Sequence, residues 1–361
     1  MKKETFAEPL LAWYDANKRE MVWRDQGDPY YTWISEIMLQ QTRIEAAKEY
    51  FVRFTTELPD IDSLAKVSEE RLMKLWEGLG YYSRARNLKK AAEILMAEHG
   101  GELPADYDKL LKLPGVGPYT AGAIASIAYG IPVPAVDGNV LRVVMRFLKC
   151  GEDISKMSVR KNVENMLMAI MPERPGDFNQ AIMELGEVVC IPNGAPLCES
   201  CPLAPACRSR AAGCPEEYPK KAEKKPRRIE KRSLFIYQCG EQYGIAKRAD
   251  KGLLAGLYEF PSEEGHGSKK ALENRLKESG VSAKVTAMGA AKHIFSHVEW
   301  HMKGFLVELP EDTNLVEWRR ILPGESAAEM IFVSREELAH TFTLPVAFHS
   351  YLKQILRGEE K

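Results

Sequence analysis

Cys190, Cys198, Cys201 and Cys207 lie within eighteen residues, separated by seven, two and five others, in the stretch CIPNGAPLCESCPLAPAC. Pro192, Pro196, Pro202 and Pro205 interrupt any regular helix there, so the segment is a loop that can gather four thiols. Four thiolates so gathered hold an iron–sulfur cluster or a structural zinc, and spacing alone does not choose between them. A disulfide knot is disfavoured. The N-terminus MKKETFAEPLLAWYDANKRE lacks the apolar core of a secretory signal, and a cytosolic setting keeps thiols reduced. Cys150, Cys214 and Cys239 are scattered and read as packing or surface residues.

Two other stretches carry residue types suited to chemistry. In Leu113-Pro114-Gly115-Val116-Gly117 the glycines permit a tight turn, leaving the first N–H groups of the next helix free to face an anion. A helix–LPGVG–helix unit suits gripping a DNA phosphate without reading sequence, although a lone GxG is as readily a plain interhelical turn. About twenty residues on, Val133-Pro134-Ala135-Val136-Asp137-Gly138-Asn139-Val140 sets an acid before a helix. Taken alone, Asp137 is most simply an N-cap. Held beside helix N-termini it would also stay ionised, as needed to oppose a cationic transition state.

The elements that must position these residues follow from the rest of the chain. Its 361 residues, 45% hydrophobic, suffice for two domains with separate cores. No apolar run approaches the roughly 20 residues a membrane span needs, so the expectation is a soluble, cytoplasmic protein with no membrane partner. A net charge of -1 makes any nucleic-acid argument a local one. Residues 1–210 read as helical. Tyr31–Phe54 has neither Pro nor Gly and predicts one helix with Trp33, Ile37, Ile44, Ala47 and Phe51 on its apolar face. Further helices are predicted over Glu69–Trp76, Ser83–His99, Ala121–Tyr129, Val140–Leu148 and Val159–Met171. Residues 211–232 form a basic linker, with eight cations against two acids between Lys220 and Arg232. Residues 233–361 alternate strand-like runs with helices over Lys269–Ser279 and Ala347–Leu356, an α+β pattern.

A glycine-bearing hairpin, VDGNV about twenty residues later and then a four-cysteine loop resemble the helix-hairpin-helix DNA glycosylases related to endonuclease III. Within that superfamily the chain is similar to the adenine DNA glycosylases. The carrying segments are WRDQGDPYYTWISEIMLQQTR (23–43), GLGYYSRARNL (78–88), LPGVGPYTAGAIAS (113–126), VPAVDGNVLRV (133–143) and FNQAIMELG (178–186). KRADKGLLAGLYEFP (247–261) makes the C-terminal half resemble a Nudix domain. The resemblance therefore implies an all-α helix-hairpin-helix glycosylase domain with an iron–sulfur loop, followed by an α+β Nudix-like domain. The four cysteines would hold one [4Fe–4S] cluster, although the family usually separates the first two by six residues rather than seven.

The implied activity is removal of adenine opposite 8-oxoguanine or guanine in double-stranded DNA, by a monomer associated with a bacterial nucleoid. Glu36 matches the family's general acid, set among Trp33, Ile34, Ile37 and Met38, which would raise its pKa. Asp137 would face the oxocarbenium-like sugar, with Tyr119 and Asn139 positioning the water and the carboxyl groups. Superfamily members that also cut the backbone carry lysine where this chain has Tyr119, and a phenol forms no imine. That implies a monofunctional enzyme; an endonuclease III-like glycosylase/lyase on oxidised pyrimidines is the alternative. Trp23, Arg24, Leu39 and Gln180 would line the pocket for the flipped base. Gln41 and Tyr81 would fill the stack, Thr42 and Leu79 would lie near the opposing purine, and Gly115 and Gly117 would grip phosphate. Phe295-Ser296-His297 would probe the oxidised guanine. The stretch ENRLKESG (273–280) lacks the glutamate run of a working Nudix hydrolase, so pyrophosphatase activity is not expected.

Overall fold

The computed structural model describes residues 1–24, 27–222, 226–311 and 313–357. They form two compact units, Met1–Val67 with Arg86–Lys224, and Ser68–Ala85 with Lys225–Lys361. The first is helical: a short turn at Lys3–Ala7, then α1 (Glu8–Asn17), α2 (Pro29–Leu39), α3 (Ile44–Glu57) and α4 (Ile61–Lys66). After α5 (Glu69–Leu75), which belongs to the second unit, come α6 (Ser83–Glu98), α7 (Tyr107–Leu110), α8 (Pro118–Tyr129), α9 (Gly138–Leu148), α10 (Met157–Met168), α11 (Pro175–Val188) and α12 (Arg208–Ala211).

Local chemistry sets the helices that matter for the site. The Asp28 side chain accepts the Tyr30 N–H at 2.8 Å and Pro29 takes the first position, so α2 starts there. The single helix predicted over Tyr31–Phe54 is in fact two. It breaks at Gln40–Arg43, where Gln41 adopts a left-handed φ of 63° with no Gly or Pro to announce it. α9 buries Val140, Leu141, Val143, Val144 and Phe147 against Phe6, Tyr14, Phe178, Ile182 and Leu185. Each such side chain contributes about 1.5–3 kcal/mol on burial, so α1, α9 and α11 are held by one continuous core.

The second unit is built on a seven-stranded mixed sheet ordered β3-β2-β1-β6-β5, with β4 also on β1 and β7 on β2. The strands are β1 (Arg228–Cys239), β2 (Gln242–Lys247), β3 (Tyr258–Glu259), β4 (Ser262–Glu264), β5 (Lys284–Ile294), β6 (Val298–Leu309) and β7 (Ile331–Ser334). β1 and β6 run parallel from the Arg228/Val298 pair to the Cys239/Leu309 pair; the other pairings are antiparallel. Alternation sends Leu234 and Ile236 toward the C-terminal helix α16 (His349–Arg357), and Phe235, Tyr237 and Cys239 toward α13 (Lys269–Glu278). Two short helices, α14 (Leu315–Trp318) and α15 (Arg335–His340), complete the unit.

Two expected boundaries differ. Residues 68–85, expected with the helical half, pack with the C-terminal unit: Lys74 Nζ donates to the Phe342 carbonyl at 3.2 Å, and Glu77 lies 3.7 Å from His349. β1 begins at Arg228, inside the expected linker, because backbone pairing with β6 does not require apolar side chains. Residues 223–225 of that linker lie outside the described residues. No helix among the described residues is long and apolar enough to cross a membrane.

Candidate active site

α2, α8, α11 and the segment leading into α9 line a half-open cavity of about 650 Å³ in the helical unit. Glu36 lies two turns into α2 and is 8% exposed. The Tyr119 hydroxyl, in the first turn of α8, donates to Glu36 Oε2 at 2.5 Å and also reaches Met183 Sδ at 3.3 Å. Burial pushes the Glu36 carboxyl up to about 7. The Tyr119 hydrogen bond works against that rise, the charge of Asp137 adds to it, and Arg24 opposes it. Tyr119 itself is driven well above the ordinary phenol value, by burial first and by Glu36 second, so it remains a donor.

Asp137 is an N-cap and a cavity residue at once. Oδ1 accepts the Val140 N–H at 2.8 Å, and Oδ2 accepts Asn139 Nδ2 at 2.8 Å. The expectation that helix N-termini keep it ionised is opposed by burial, which is the largest effect and raises its pKa; Val140, Asn139 and Arg142 pull it down. Arg142 donates to Asn139 Oδ1 at 2.8 Å, to the Cys190 carbonyl at 2.7 Å and to the Gly186 carbonyl. Gly186 makes this approach possible, since a Cβ there would stand 2.7 Å from Asn139 Cβ.

Trp23, Arg24, Leu39 and Gln180, expected in the base pocket, all line the same cavity, and so does Thr42, expected near the opposing purine. Arg24 donates through Nε to Gln180 Oε1 at 3.0 Å, turning the Gln180 Nε2 group outward from that pair, and pairs with Glu184 Oε2 at 3.0 Å. Glu184, with a side chain 3% exposed, holds Arg19 with its other oxygen at 3.0 Å. Sequence reasoning does not single out Arg19 or Glu184. Charged residues in an amphipathic helix ordinarily read as its wet face, but Glu184 follows Gln180 by four positions and so shares its face.

Other expected residues stand elsewhere. Gln41 is exposed at the α2–α3 break and does not line the cavity. Leu79 and Tyr81 belong to the C-terminal unit; Leu79 is buried, while Tyr81 is half-exposed at a left-handed φ of 47°. Its hydroxyl is 2.9 Å from Ser296 Oγ. Phe295 is held in place by its neighbours. It packs edge-on against His293 at 4.5 Å and Trp300 at 4.9 Å, leaving Ser296 and His297 as the exposed members of the turn. In the α7–α8 hairpin, Gly115 (φ 77°) needs to be glycine, because a Cβ would meet Asn87 Cβ at 2.7 Å. Gly117 has an ordinary extended backbone and open space around it, so it serves only as the N-cap of α8.

Cys190, Cys198, Cys201 and Cys207 line one small cavity of about 20 Å³ together with Arg146. Burial and the neighbouring cysteines raise Cys198, and burial pushes Cys201 up to about 11. Arg146 offsets part of this, donating to Cys190 Sγ at 3.3 Å. Among the described residues no three ligating side chains close on a single metal ion.

Residues 34–168 match the HhH-GPD superfamily of base excision DNA repair proteins, and residues 233–354 match the NUDIX domain family. The chain is 36% identical to the adenine DNA glycosylase of Mus musculus over 354 residues, covering 81% of this chain and 68% of that protein. It is 34% identical to the adenine DNA glycosylase of Buchnera aphidicola subsp. Acyrthosiphon pisum over 316 residues, covering 86% and 88%. Among solved structures it is similar to a thermostable thymine-DNA glycosylase (TM-score 0.53, 26% identity, 58% of this chain and 97% of that one). It is also similar to endonuclease III in a trapped covalent intermediate with DNA (TM-score 0.50, 28% identity, 59% and 99%).

Proposed function

The chain belongs to the adenine DNA glycosylase family, a family of DNA N-glycosylases of base excision repair, and from that premise we propose that it flips out and hydrolytically removes adenine mispaired with 8-oxoguanine or guanine, leaving the strand intact. The observation that carries the reading is Glu36: a buried carboxyl at about 7, hydrogen-bonded by Tyr119, across from a second carboxyl. Adenine is a poor anionic leaving group. Glu36, protonated near neutrality, gives its proton to a ring nitrogen as the N-glycosidic bond breaks. Asp137, held by Val140 and Asn139, faces the cationic sugar that results, and water completes the exchange. Arg24 and Gln180 contact the base edge, with Trp23 and Leu39 as apolar walls. Thr42, Gln41, Leu79 and Tyr81 attend the opposing base and the gap left in the stack. Gly115 and the N–H groups after Gly117 take a phosphate. Tyr119 offers no amine, which supports the monofunctional form.

In the C-terminal unit, Ser296 and His297 probe the opposing purine, and Phe295 anchors their turn. Cys190, Cys198, Cys201 and Cys207, four thiols gathered around one cavity, are the donor set that would hold a [4Fe–4S] cluster. When bound, the cluster supplies a rigid, charged cross-link for the segment from Cys190 to Cys207. The enzyme acts as a monomer on duplex DNA in the cytoplasm, at the nucleoid.

The test is base release from paired duplexes carrying adenine opposite 8-oxoguanine, guanine or thymine. Free adenine, an uncut strand and no borohydride-trapped adduct are expected. Direct strand cleavage, or release of an oxidised pyrimidine instead, would assign the lyase chemistry of the alternative. Purified protein should be yellow-brown with about four irons per chain, and a zinc-loaded active protein would overturn the cluster.

A further inference from the structure

The sheet of the C-terminal unit is covered on both faces along most of β1, but not at its beginning. Pairing places Ile229, Glu299 and Ile294 in one row across β1, β6 and β5, and Lys231, His301 and Lys292 in the next. Lys303 follows, between Ser233 and Ala290. These residues lie on the face that further along packs under α13, and here the face is open: Ile229 is 57% exposed, Ile294 50%, and Lys231 and Lys303 are both exposed.

The charge left over on this open face is one-sided. Glu299 is already taken by Lys292 and by His301 at 2.6 Å. Glu263, beside Ser233 on β4, is taken by Arg275 at 2.7 Å. Arg227, exposed just before β1, donates to the Phe295 carbonyl at 3.1 Å and so carries the cations on from Lys231 to the Phe295-Ser296-His297 turn. Lys303 lies one strand over and two residues on from Lys231, about 8 Å away, and Arg227 lies four residues before Lys231, about 13 Å away, a spread that several phosphates of one nucleic-acid strand can span.

We propose that this open sheet face, carried by Arg227, Lys231 and Lys303, is a second DNA-binding surface that holds the phosphodiester backbone of the duplex beyond the lesion-probing turn. The inference rests on the reading of that turn as facing DNA. It assigns the face to position and hold the duplex, with no part in choosing the base, because lysine contacts to phosphates carry no sequence information.

The experiment uses full-length protein and a duplex whose target nucleoside is 2′-fluorinated and so resists excision. Affinity is measured by anisotropy over a range of salt for wild type, Lys231→Gln/Lys303→Gln, and Lys353→Gln as an exposed lysine of α16. Each phosphate left unneutralised lowers the slope of log affinity against log salt by about 0.9, so the double variant should lose about 2 and Lys353→Gln nothing. Affinity should fall equally for 8-oxoguanine and guanine opposite adenine, while single-turnover excision at saturating duplex stays at the wild-type rate. An unchanged slope, or a loss confined to one opposing base, overturns the proposal. The functional reading stands or falls separately, on whether wild type releases adenine at all.

Discussion

The cavity of the helical unit and the turn of the C-terminal unit are organised in opposite ways. Around Glu36 nearly every polar group is buried and partnered: Tyr119 on Glu36, Asn139 on Asp137, Glu184 between Arg19 and Arg24. At Phe295-Ser296-His297 one aromatic ring is anchored and the polar side chains face outward. A group fixed in a desolvated cavity can alter a barrier, because its field is weakly screened and it need not reorganise. An exposed hydroxyl or imidazole instead adds a hydrogen bond to a partner it meets. The first arrangement is suited to rate and the second to preference, and substitutions in the two regions should fail differently.

The largest effect is expected at the carboxyls. Glu36→Gln and Asp137→Asn should each slow single-turnover excision by about 10²–10⁴-fold, a usual acid–base contribution, with little change in affinity for the mispair. Near-normal excision by Glu36→Gln would remove the acid from the mechanism and erase the contrast between the units.

Next is the effect of Glu36 on stability. Its folded pKa of about 7 lies above the 4.5 of an unperturbed glutamate, so the folded state binds the proton more tightly. The stability this gives is complete below the unfolded value and is lost as pH rises through about 7, where a buried carboxylate must ionise. Gln cannot ionise. Glu36→Gln should therefore melt above wild type at about pH 8, by an amount on the order of a few kcal/mol, with the gap closing toward about pH 5. A gap independent of pH in calorimetric scans would contradict the assigned burial.

A finer test shifts the pH profile without removing the acid. Tyr119 lowers the Glu36 pKa by donating to the carboxylate, so Tyr119→Phe should move the falling limb of the excision–pH profile upward by about one unit. A downward shift would mean that Tyr119 stabilises the protonated form instead. The smallest effect belongs to the other unit: Ser296→Ala with His297→Ala should narrow the preference for 8-oxoguanine over guanine by roughly 1–3 kcal/mol for each polar group removed. If both duplexes slow equally, the turn is a general clamp.

How much of this is legible in the sequence depends on whether a residue's role is local. Asp137 as a cap and the Gly115 turn follow from neighbours in sequence, and the structure has them where expected. The break at Gln40–Arg43 does not, because Gln41 takes a conformation for which its own chemistry has no preference. Nor does the attachment of residues 68–85 to the C-terminal unit, which depends on Lys74 and Glu77 meeting residues more than two hundred positions away. A truncation near Glu216 would consequently strip α5 of those partners, so it is not a clean removal of one domain. Glu184 escapes sequence reasoning for a related reason: its partners lie in a segment about 160 residues earlier.

Gly186 shows how this architecture would respond to inherited variation. Its missing side chain faces Asn139, which in turn braces Asp137. A single added methyl there would meet Asn139 Cβ at 2.7 Å and its backbone Cα and carbonyl carbon at 3.2 and 3.3 Å, so α9 and α11 would have to part just where Asp137 is braced. Overpacking of this kind costs about 1–3 kcal/mol, so cells carrying such an allele would hold less of the protein, and what remained would carry a displaced carboxyl. The defect would register both in surveys of protein abundance and in assays that count repaired bases.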